Sequence, residues 1–308
     1  MHKKTLAKRI WEAKYIYLFM IPGLVFFSVF HYAPMGGLVL AFKNYSARLG
    51  MWGSEWVGFK HFERLFLTPM AINAITNTLT INLGRLLFEF PIPIILAILL
   101  SEMRGKWCKR IYQTVYTFPH FLSWIIVATL LKDFFSTNGA VNMLITAIGG
   151  EKVNFLADGS TFRGILYATS SWKGAGWSAI IYIAAISSIG SEQYEAAYID
   201  GASRLQTIWH ITLPGIASIV VIMLILQVGR SMNAGFDQIF NMRNSVVKNT
   251  VDIIDTYVHD ITFGNAPNYG FSTAVGLFKS VVNTLLLVVS DWLSKRLSGQ
   301  GLFGSKEA

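Results

Sequence analysis

Long hydrophobic runs separated by short charged stretches dominate this chain. Between residues 15 and 42 there is no Asp, Glu, Lys or Arg, and runs of similar character recur along the sequence. A helix needs roughly 20 apolar residues to cross the hydrocarbon core of a membrane. The pattern therefore predicts six transmembrane helices, of which the fifth is short. Their predicted ranges are 15–42, 71–100, 111–131, 165–189, 215–228 and 273–293.

Composition supports the same fold class, an all-α integral membrane protein. Hydrophobic residues make up 53% of the 308 positions and charged residues only 14%, whereas soluble domains carry about 25% charged residues. The formal net charge of +9 is spread over short loops instead of being clustered, so no nucleic-acid partner is predicted. The single cysteine, Cys108, excludes an intrachain disulfide.

The basic residues predict the orientation. They flank the predicted spans at the amino end, in the turn between spans two and three, and at the carboxyl end. Because basic residues are retained on the cytoplasmic side, both termini are predicted to be cytoplasmic, and residues 43–70, 132–164 and 231–271 external. The predicted divisions are an interfacial segment 1–14, a membrane domain 15–294 and a cytoplasmic tail 295–308, in a multi-pass protein of a bacterial cell membrane.

A polar, helix-prone stretch, residues 190–214, lies between the fourth and fifth predicted spans. Ser191 is predicted to cap its first helix, with Glu195 near the positive end of the helix dipole. Gly201 predicts a bend, since glycine adopts conformations that other residues avoid. Pro214 suits the first turn of the following span. The pattern predicts two helices joined by a bend along the membrane surface.

This stretch resembles the EAA loop of type I ABC importer permeases, whose fold is MetI-like. The matching positions are Glu195, Ala196, Ala197, Asp200, Gly201, Ala202, Ile211, Leu213 and Pro214. Elsewhere GLVLAFKNY, WVGFKHF, NAGFDQIFN and KRLSGQGLF resemble the LplB-like carbohydrate branch of these permeases, which handles oligosaccharides or polysaccharides. The resemblance covers nearly the whole chain.

The resemblance implies a coupling role for the loop. It would dock in a cleft of a cytoplasmic ABC ATPase dimer, with Glu195 facing a basic residue of the ATPase, Ala196 and Ala197 allowing close seating, and Gly201 shaping the turn. The chain has no G-x-x-x-x-G-K-[ST] phosphate loop. ATP and Mg would therefore be bound and hydrolysed by the ATPase, and no cofactor, metal or catalytic site is expected in this chain.

The resemblance also implies further partners. An ATPase dimer offers two clefts and this chain has one loop, so a second homologous permease is expected. In the family it is usually a different chain, giving a heterodimer, although one sequence leaves a homodimer open. An extracellular sugar-binding protein would deliver substrate, and membrane lipid surrounds the spans.

Candidate residues of the substrate path are polar or aromatic positions in the spans and beside them. They are Arg85, Glu89, Trp172, Lys173, Trp177, Gln227, Asn233 and Asp237. Each has a structural alternative. Arg85 and Glu89 are four residues apart and can pair on one helix face, the tryptophans can belong to an interfacial belt, and the amides can bond neighbouring helices. Which saccharide would use such a path is not readable from the sequence.

Outside the spans, hydrophobic residues at helical spacing predict a short amphipathic helix over 251–261. Lys279 is predicted to extend its charged end toward the interface.

Two other classes compete with the importer. A secondary transporter or channel would show repeated halves with broken helices, and no clear repeat is present. An intramembrane enzyme would carry a motif such as H-E-x-x-H or G-x-S-x-G, and the sequence has neither.

Overall fold

Six membrane-spanning segments make up most of the chain. The computed structural model describes residues 11–298 and 301–302. Four helices are long and apolar enough to span a membrane. They are span one Lys14–Phe42, span two Pro69–Ser101, span five Arg204–Gly229 and span six Tyr269–Arg296. Span three is a bent pair, Lys106–Phe121 and Trp124–Phe134, at 96°. Span four, Gly159–Ser187, bends by 72° into Ser191–Ile199. The predicted all-α, six-span architecture is confirmed.

Several spans are built from shorter helical sections. Span one consists of Lys14–Phe27, a wide turn Ser28–Tyr32 and a 3₁₀ section Ala33–Phe42, and span two of Pro69–Phe88 and Pro91–Ser101. Span three consists of Lys106–Thr117, the 3₁₀ turn Phe118–Phe121 and Trp124–Phe134. Span five consists of Arg204–Thr207, a wide turn Ile208–Thr212 and Leu213–Gly229, and the helix of span six runs Tyr269–Ser298. Shorter helices are Gly50–Gly53, Lys60–Leu67, Ala140–Ala147, Phe236–Met242, Lys248–Val251 and Ile254–Phe263. Strands Lys43–Asn44 and Glu55–Trp56 pair antiparallel, with Lys43 opposite Trp56.

The predicted fifth span was too short. Its helix begins at Arg204, so the second arm of the 190–214 stretch is part of the span. Proline in a helix interior clashes with the carbonyl of the preceding turn. The wide turn Ile208–Thr212 directly before Pro214 loosens the helix where that clash would occur. The second arm of the stretch and span five therefore form one continuous helix.

Spans two, four and five enclose the buried centre. One cluster joins Ile81 of span two and Leu166 of span four to Ile239 of the short helix Phe236–Met242. A second joins Ala97, Ala179 and Ile216, where the three spans cross nearer the 190–214 stretch. Span one differs, because every residue from 14 to 36 is exposed. Only its Ala33–Phe42 section packs against span six.

An ion-pair network ties the segment between spans five and six together. Arg243 Nη1 lies 2.6 Å from Asp252 Oδ1, and its Nη2 lies 2.7 Å from Asp260 Oδ1. Lys248 Nζ lies 2.8 Å from the other oxygen of Asp260. Burial alone would raise the pKa of Asp260, but hydrogen bonds and positive charge from Arg243 and Lys248 lower it to about 2.

The amphipathic helix predicted over 251–261 exists, as Ile254–Phe263. The predicted reach of Lys279 toward the interface stays a prediction. Its Nζ lies 2.5 Å from Asp255 Oδ1 on this helix and forms an ion pair. The pair fastens the helix to span six.

Parts of two predicted terminal divisions lie outside the described residues. These parts are residues 1–10 of the segment 1–14, and residues 299–300 and 303–308 of the tail.

We expect Asp260→Asn to lower the thermal unfolding midpoint in detergent at pH 5 by removing the anion between Arg243 and Lys248. The pKa of Asp260 is lower in the folded chain, about 2, than in an unfolded chain, about 3.9. Its stabilising contribution is therefore complete above the unfolded value and is lost as pH falls from about 4 to about 2. The gap between wild type and variant should shrink over that range. A gap that stays constant down to pH 2 would contradict this assignment.

Candidate functional site

The first candidate site is the surface hairpin, residues 190–214. Its first arm is the helix Ser191–Ile199. The prediction that Ser191 caps this helix was wrong, because Gly190 is the N-cap and Ser191 is the first helical residue. Gly190 has the extended backbone typical of an N-cap, with φ −59° and ψ 132°, whereas Ser191 is already helical.

Gly201 ends the first arm in a left-handed conformation, with φ +74°. The N–H of Ala202 donates to the carbonyl of Ala197 at 2.9 Å, and the N–H of Gly201 to that of Tyr198 at 3.1 Å. These two bonds form a Schellman motif, which satisfies the last carbonyls of a helix and favours glycine at this position. A Cβ on Gly201 would meet no atom within 4 Å. Its requirement for glycine is therefore conformational and not steric.

The second arm starts with a reciprocal cap. The N–H of Gln206 donates to Ser203 Oγ, and the N–H of Ser203 donates to Gln206 Oε1 at 2.7 Å. The two arms are joined by a hydrogen bond of 3.2 Å between the Tyr194 and Thr212 hydroxyls. Both ends of the hairpin are thus fixed, one to span four and one to span five.

The tip of the hairpin exposes large apolar side chains. Tyr198 is 85% exposed, Ile199 83% and Leu205 69%. Tyr198 and Ile199 end the first arm and Leu205 lies in the first turn of span five, on a stretch that is otherwise polar. Apolar residues grouped on a polar protrusion are typical of a protein-binding surface.

The predicted coupling residues follow the turn of the hairpin. Glu195, Ala196, Asp200, Gly201 and Pro214 are exposed, and Ala197, Ala202, Ile211 and Leu213 are half-buried. The structure thus brings most of them to one protrusion. The prediction missed Tyr198, Ile199 and Leu205, although their signal was visible as apolar residues in a polar stretch.

The second candidate site is a polar network inside the membrane domain. Arg85 Nε lies 3.5 Å from Glu89 Oε1, and Arg85 Nη2 donates to Gln238 Oε1 at 2.5 Å. Gln238 in turn donates to the Leu166 carbonyl and to Thr169 Oγ1, both at 2.9 Å. The Ser170 hydroxyl donates to Glu89. The network therefore joins span two, span four and the short helix Phe236–Met242.

Gly235 lets that short helix reach Arg85. It has φ +74°, and a Cβ placed there would lie 2.5 Å from Arg85 Nη1. Glycine suits both this left-handed conformation and the narrow space beside the guanidinium. Asp237 is the residue of this helix that the sequence predicts for the substrate path, but Asp237 is exposed and its neighbour Gln238 is fully buried.

Lys173 and Trp177 support the break in span three. Lys173 Nζ donates to the carbonyl of His120 at 2.8 Å, and the Trp177 ring stacks on His120 with centroids 4.7 Å apart. Gly176 permits this approach, since a Cβ there would lie 2.1 Å from the Tyr116 carbonyl oxygen. Trp172 is exposed. These contacts give Lys173 and Trp177 a structural role at the break, and their role in the substrate path stays a prediction.

A cavity of about 260 Å³ opens between spans two, four and five. Its polar lining includes Glu89, Ser170, Ser171, Ser178, Gln227 and Arg230. Most hydroxyls of span four bond to their own helix, as Thr169 does to the Ile165 carbonyl. The side chains of Ser171, Ser178, Gln227 and Arg230 have no hydrogen-bond or ion-pair partner among the described residues. These free donors and acceptors can bind a polar ligand.

Of the predicted path residues, Glu89 and Gln227 line this cavity, and Arg85 lies behind Glu89. Asn233 and Asp237 are exposed and do not line it. Ser171, Ser178 and Arg230 were missed. Serine is common in membrane helices, and Arg230 resembles the basic residues that flank membrane spans. The sequence therefore carries no distinct signal for these three residues.

The Arg85–Glu89 pair gives a stability prediction. Arg85→Met should destabilise the protein by about 3–5 kcal/mol, because it leaves the Glu89 carboxylate buried without its cation. Adding Glu89→Gln should restore much of that loss. Thermal unfolding of the two variants in detergent measures the difference. A double variant less stable than Arg85→Met would show that the two side chains act independently.

Known proteins share this architecture. Residues 89–299, more than half of the chain, match the family described as "Binding-protein-dependent transport system inner membrane component". Protein LplB of Bacillus subtilis is 45% identical over 94% of this chain and 91% of its own length. The polygalacturonan/rhamnogalacturonan transport system permease protein YteP of the same species is 41% identical, over 98% and 94%.

A solved structure agrees over nearly the full length. It is a crystal structure of a bacterial alginate ABC transporter in complex with an alginate pentasaccharide-bound periplasmic protein. One of its chains superposes with a TM-score of 0.88 at 36% identity, covering 97% of this chain and 100% of that one. By its six spans, its hairpin and these matches, the chain belongs to the family of inner membrane components of binding-protein-dependent transport systems.

Proposed function

We propose that this chain is a permease subunit of an ATP-driven ABC importer for oligosaccharides or polysaccharides. The observation that carries the proposal is the hairpin, which connects span four to span five and exposes Tyr198 and Ile199 at its tip. A force applied there reaches two of the three spans that line the polar cavity. The relatives named LplB and YteP and the alginate transporter support this function.

In this proposal the hairpin docks in a cytoplasmic ABC ATPase, one of two in a dimer. Tyr198, Ile199 and Leu205 fill an apolar cleft, and the exposed Glu195 carboxylate faces a basic residue of the ATPase. ATP and Mg are bound and hydrolysed by the ATPase, and this chain transmits the movement without an ATPase site of its own. Closure of the ATPase dimer then tilts spans four and five relative to span two.

A second, homologous permease completes the path. Residues 14–36 of span one are exposed throughout, so most of this span is not buried against the other described residues. The cavity is bordered here by three spans, and a partner chain would enclose its remaining side. A different chain is favoured because the family usually forms heterodimers, and membrane lipid covers the faces left free.

Sugar passes through the cavity in this proposal. Ser171, Ser178 and Gln227 offer hydroxyl and amide groups to sugar hydroxyls, which need partners once water is removed. An extracellular sugar-binding protein delivers the sugar, as the periplasmic protein in the alginate complex suggests. The segment 231–271, stiffened by its ion-pair network, is the surface on which that protein rests. A secondary transporter or channel is not favoured, because neither would use the exposed hairpin.

The orientation can be measured by thiol labelling. In a Cys108→Ser background, Ser245→Cys should react with an impermeant thiol reagent on intact cells, because Ser245 is exposed in the segment proposed to be external. The wild-type chain is the matched control. Its exposed Cys108, on the opposite side, should react only after permeabilisation. The reverse labelling pattern would place the hairpin outside and exclude coupling to a cytoplasmic ATPase.

Gly201 tests the coupling role. Gly201→Val forces a β-branched residue into the left-handed region, which is strained, and should misplace the Schellman turn without touching a span. Uptake by the complete transporter in proteoliposomes should fall several-fold or more, although the complex remains in the membrane. Gly201→Asn is the matched control, because asparagine tolerates this conformation. Full ATP-driven uptake by the valine variant would count against the hairpin as the coupling element.

A further inference from the structure

The cavity between spans two, four and five contains one carboxylate and one guanidinium at its surface, but they are not equivalent. Glu89 is already neutralised within the protein, since Arg85 lies 3.5 Å away and the Ser170 hydroxyl donates to it. Its side chain is only 18% exposed. Glu89 therefore contributes little negative charge to a ligand in the cavity.

Arg230 is the uncompensated charge. It follows the last residue of span five, and its backbone N–H closes the helix by donating to the Gln227 carbonyl at 3.2 Å. Its side chain is exposed, lines the cavity and has no ion pair or hydrogen bond within the described part of the chain. After Arg85 and Glu89 cancel, the cavity carries a net positive charge located on Arg230.

We propose that Arg230 binds a carboxylate group of an acidic oligosaccharide in this cavity. The inference rests on the proposed import function and adds the substrate class. A guanidinium can donate two parallel hydrogen bonds to a carboxylate. The free side chains of Ser171, Ser178 and Gln227 line the same cavity and bind the neutral hydroxyl groups. A neutral saccharide would leave the guanidinium desolvated without a counter-charge, which is unfavourable.

The experiment compares charged and neutral forms of one sugar. The complete transporter, with its partner permease, ATPase and binding protein, is reconstituted in proteoliposomes. Uptake is measured for trigalacturonate, for trimannuronate, for the methyl ester of each and for maltotriose. The variants are Arg230→Gln, the conservative Arg230→Lys, and Lys106→Gln as a control that removes an exposed positive charge outside the cavity lining.

We expect the wild type to import an acidic trisaccharide better than its ester. Arg230→Gln should reduce that uptake between about tenfold and a hundredfold, the loss of a hydrogen bond to a charged group. Arg230→Lys should retain more uptake than Arg230→Gln, and Lys106→Gln should match the wild type. Assembly of each variant complex is verified by co-purification and by its ATP hydrolysis, so a folding defect is separated from a binding defect.

Three results would overturn the inference. In the first, Arg230→Gln transports the acids as well as the wild type does. In the second, it loses acidic and neutral saccharides equally, which indicates a structural role. In the third, the wild type prefers the esters or maltotriose, which would leave the import function standing without this substrate class. Uptake of no saccharide by an assembled complex that hydrolyses ATP would instead remove the proposed function, and the inference with it.

Discussion

The pairing of Arg85 with Glu89 and Gln238 is the interaction on which the membrane domain depends. A charged group in the bilayer is costly unless the protein satisfies it, and no single helix can satisfy a guanidinium. Arg85 therefore draws Glu89 from its own helix and Gln238 from the segment after span five. Gln238 continues the bonding to Leu166 in span four. Satisfying this one buried charge therefore determines how span two, span four and the segment after span five pack together.

The need to satisfy polar groups at membrane depth also explains the contacts at the break in span three, and it distinguishes the cavity. Where span three bends, the carbonyl of His120 leaves the helix ladder, and Lys173 supplies the missing donor. Polar groups freed by irregular backbone at membrane depth are tolerated only when protein or an aqueous space meets them. Ser171, Ser178 and Gln227 have no such protein partner within the described chain and open into the cavity. Polar groups that the fold leaves free in a membrane are those available to a polar ligand.

The hairpin obeys a different rule, because its turn lies outside the spans and its backbone groups are satisfied by local hydrogen bonds. Gly201 ends one arm, Ser203 caps the next, and the second arm runs without interruption into span five. These features are local, which is why a pattern such as Asp200-Gly201-Ala202 can be recognised in the sequence. The apolar tip, Tyr198 and Ile199, has no role in that local closure. Its exposure agrees with the ATPase partner proposed for the hairpin.

The sequence by itself determined the number of spans, the hairpin and the family resemblance, because hydrophobic length and glycine conformation act over a few neighbouring residues. It missed the start of span five at Arg204 and the N-cap at Gly190. It located Arg85, Glu89 and Gln227, but it selected exposed Asp237 where the buried partner is Gln238. Only the tertiary structure decided that choice, since one step along a helix turns a side chain by about 100° and only packing fixes which face is buried. The role of Arg230 likewise depends on the tertiary structure. Its charge is visible in the sequence, but its place in the cavity lining and its lack of a partner among the described residues are decided by the fold.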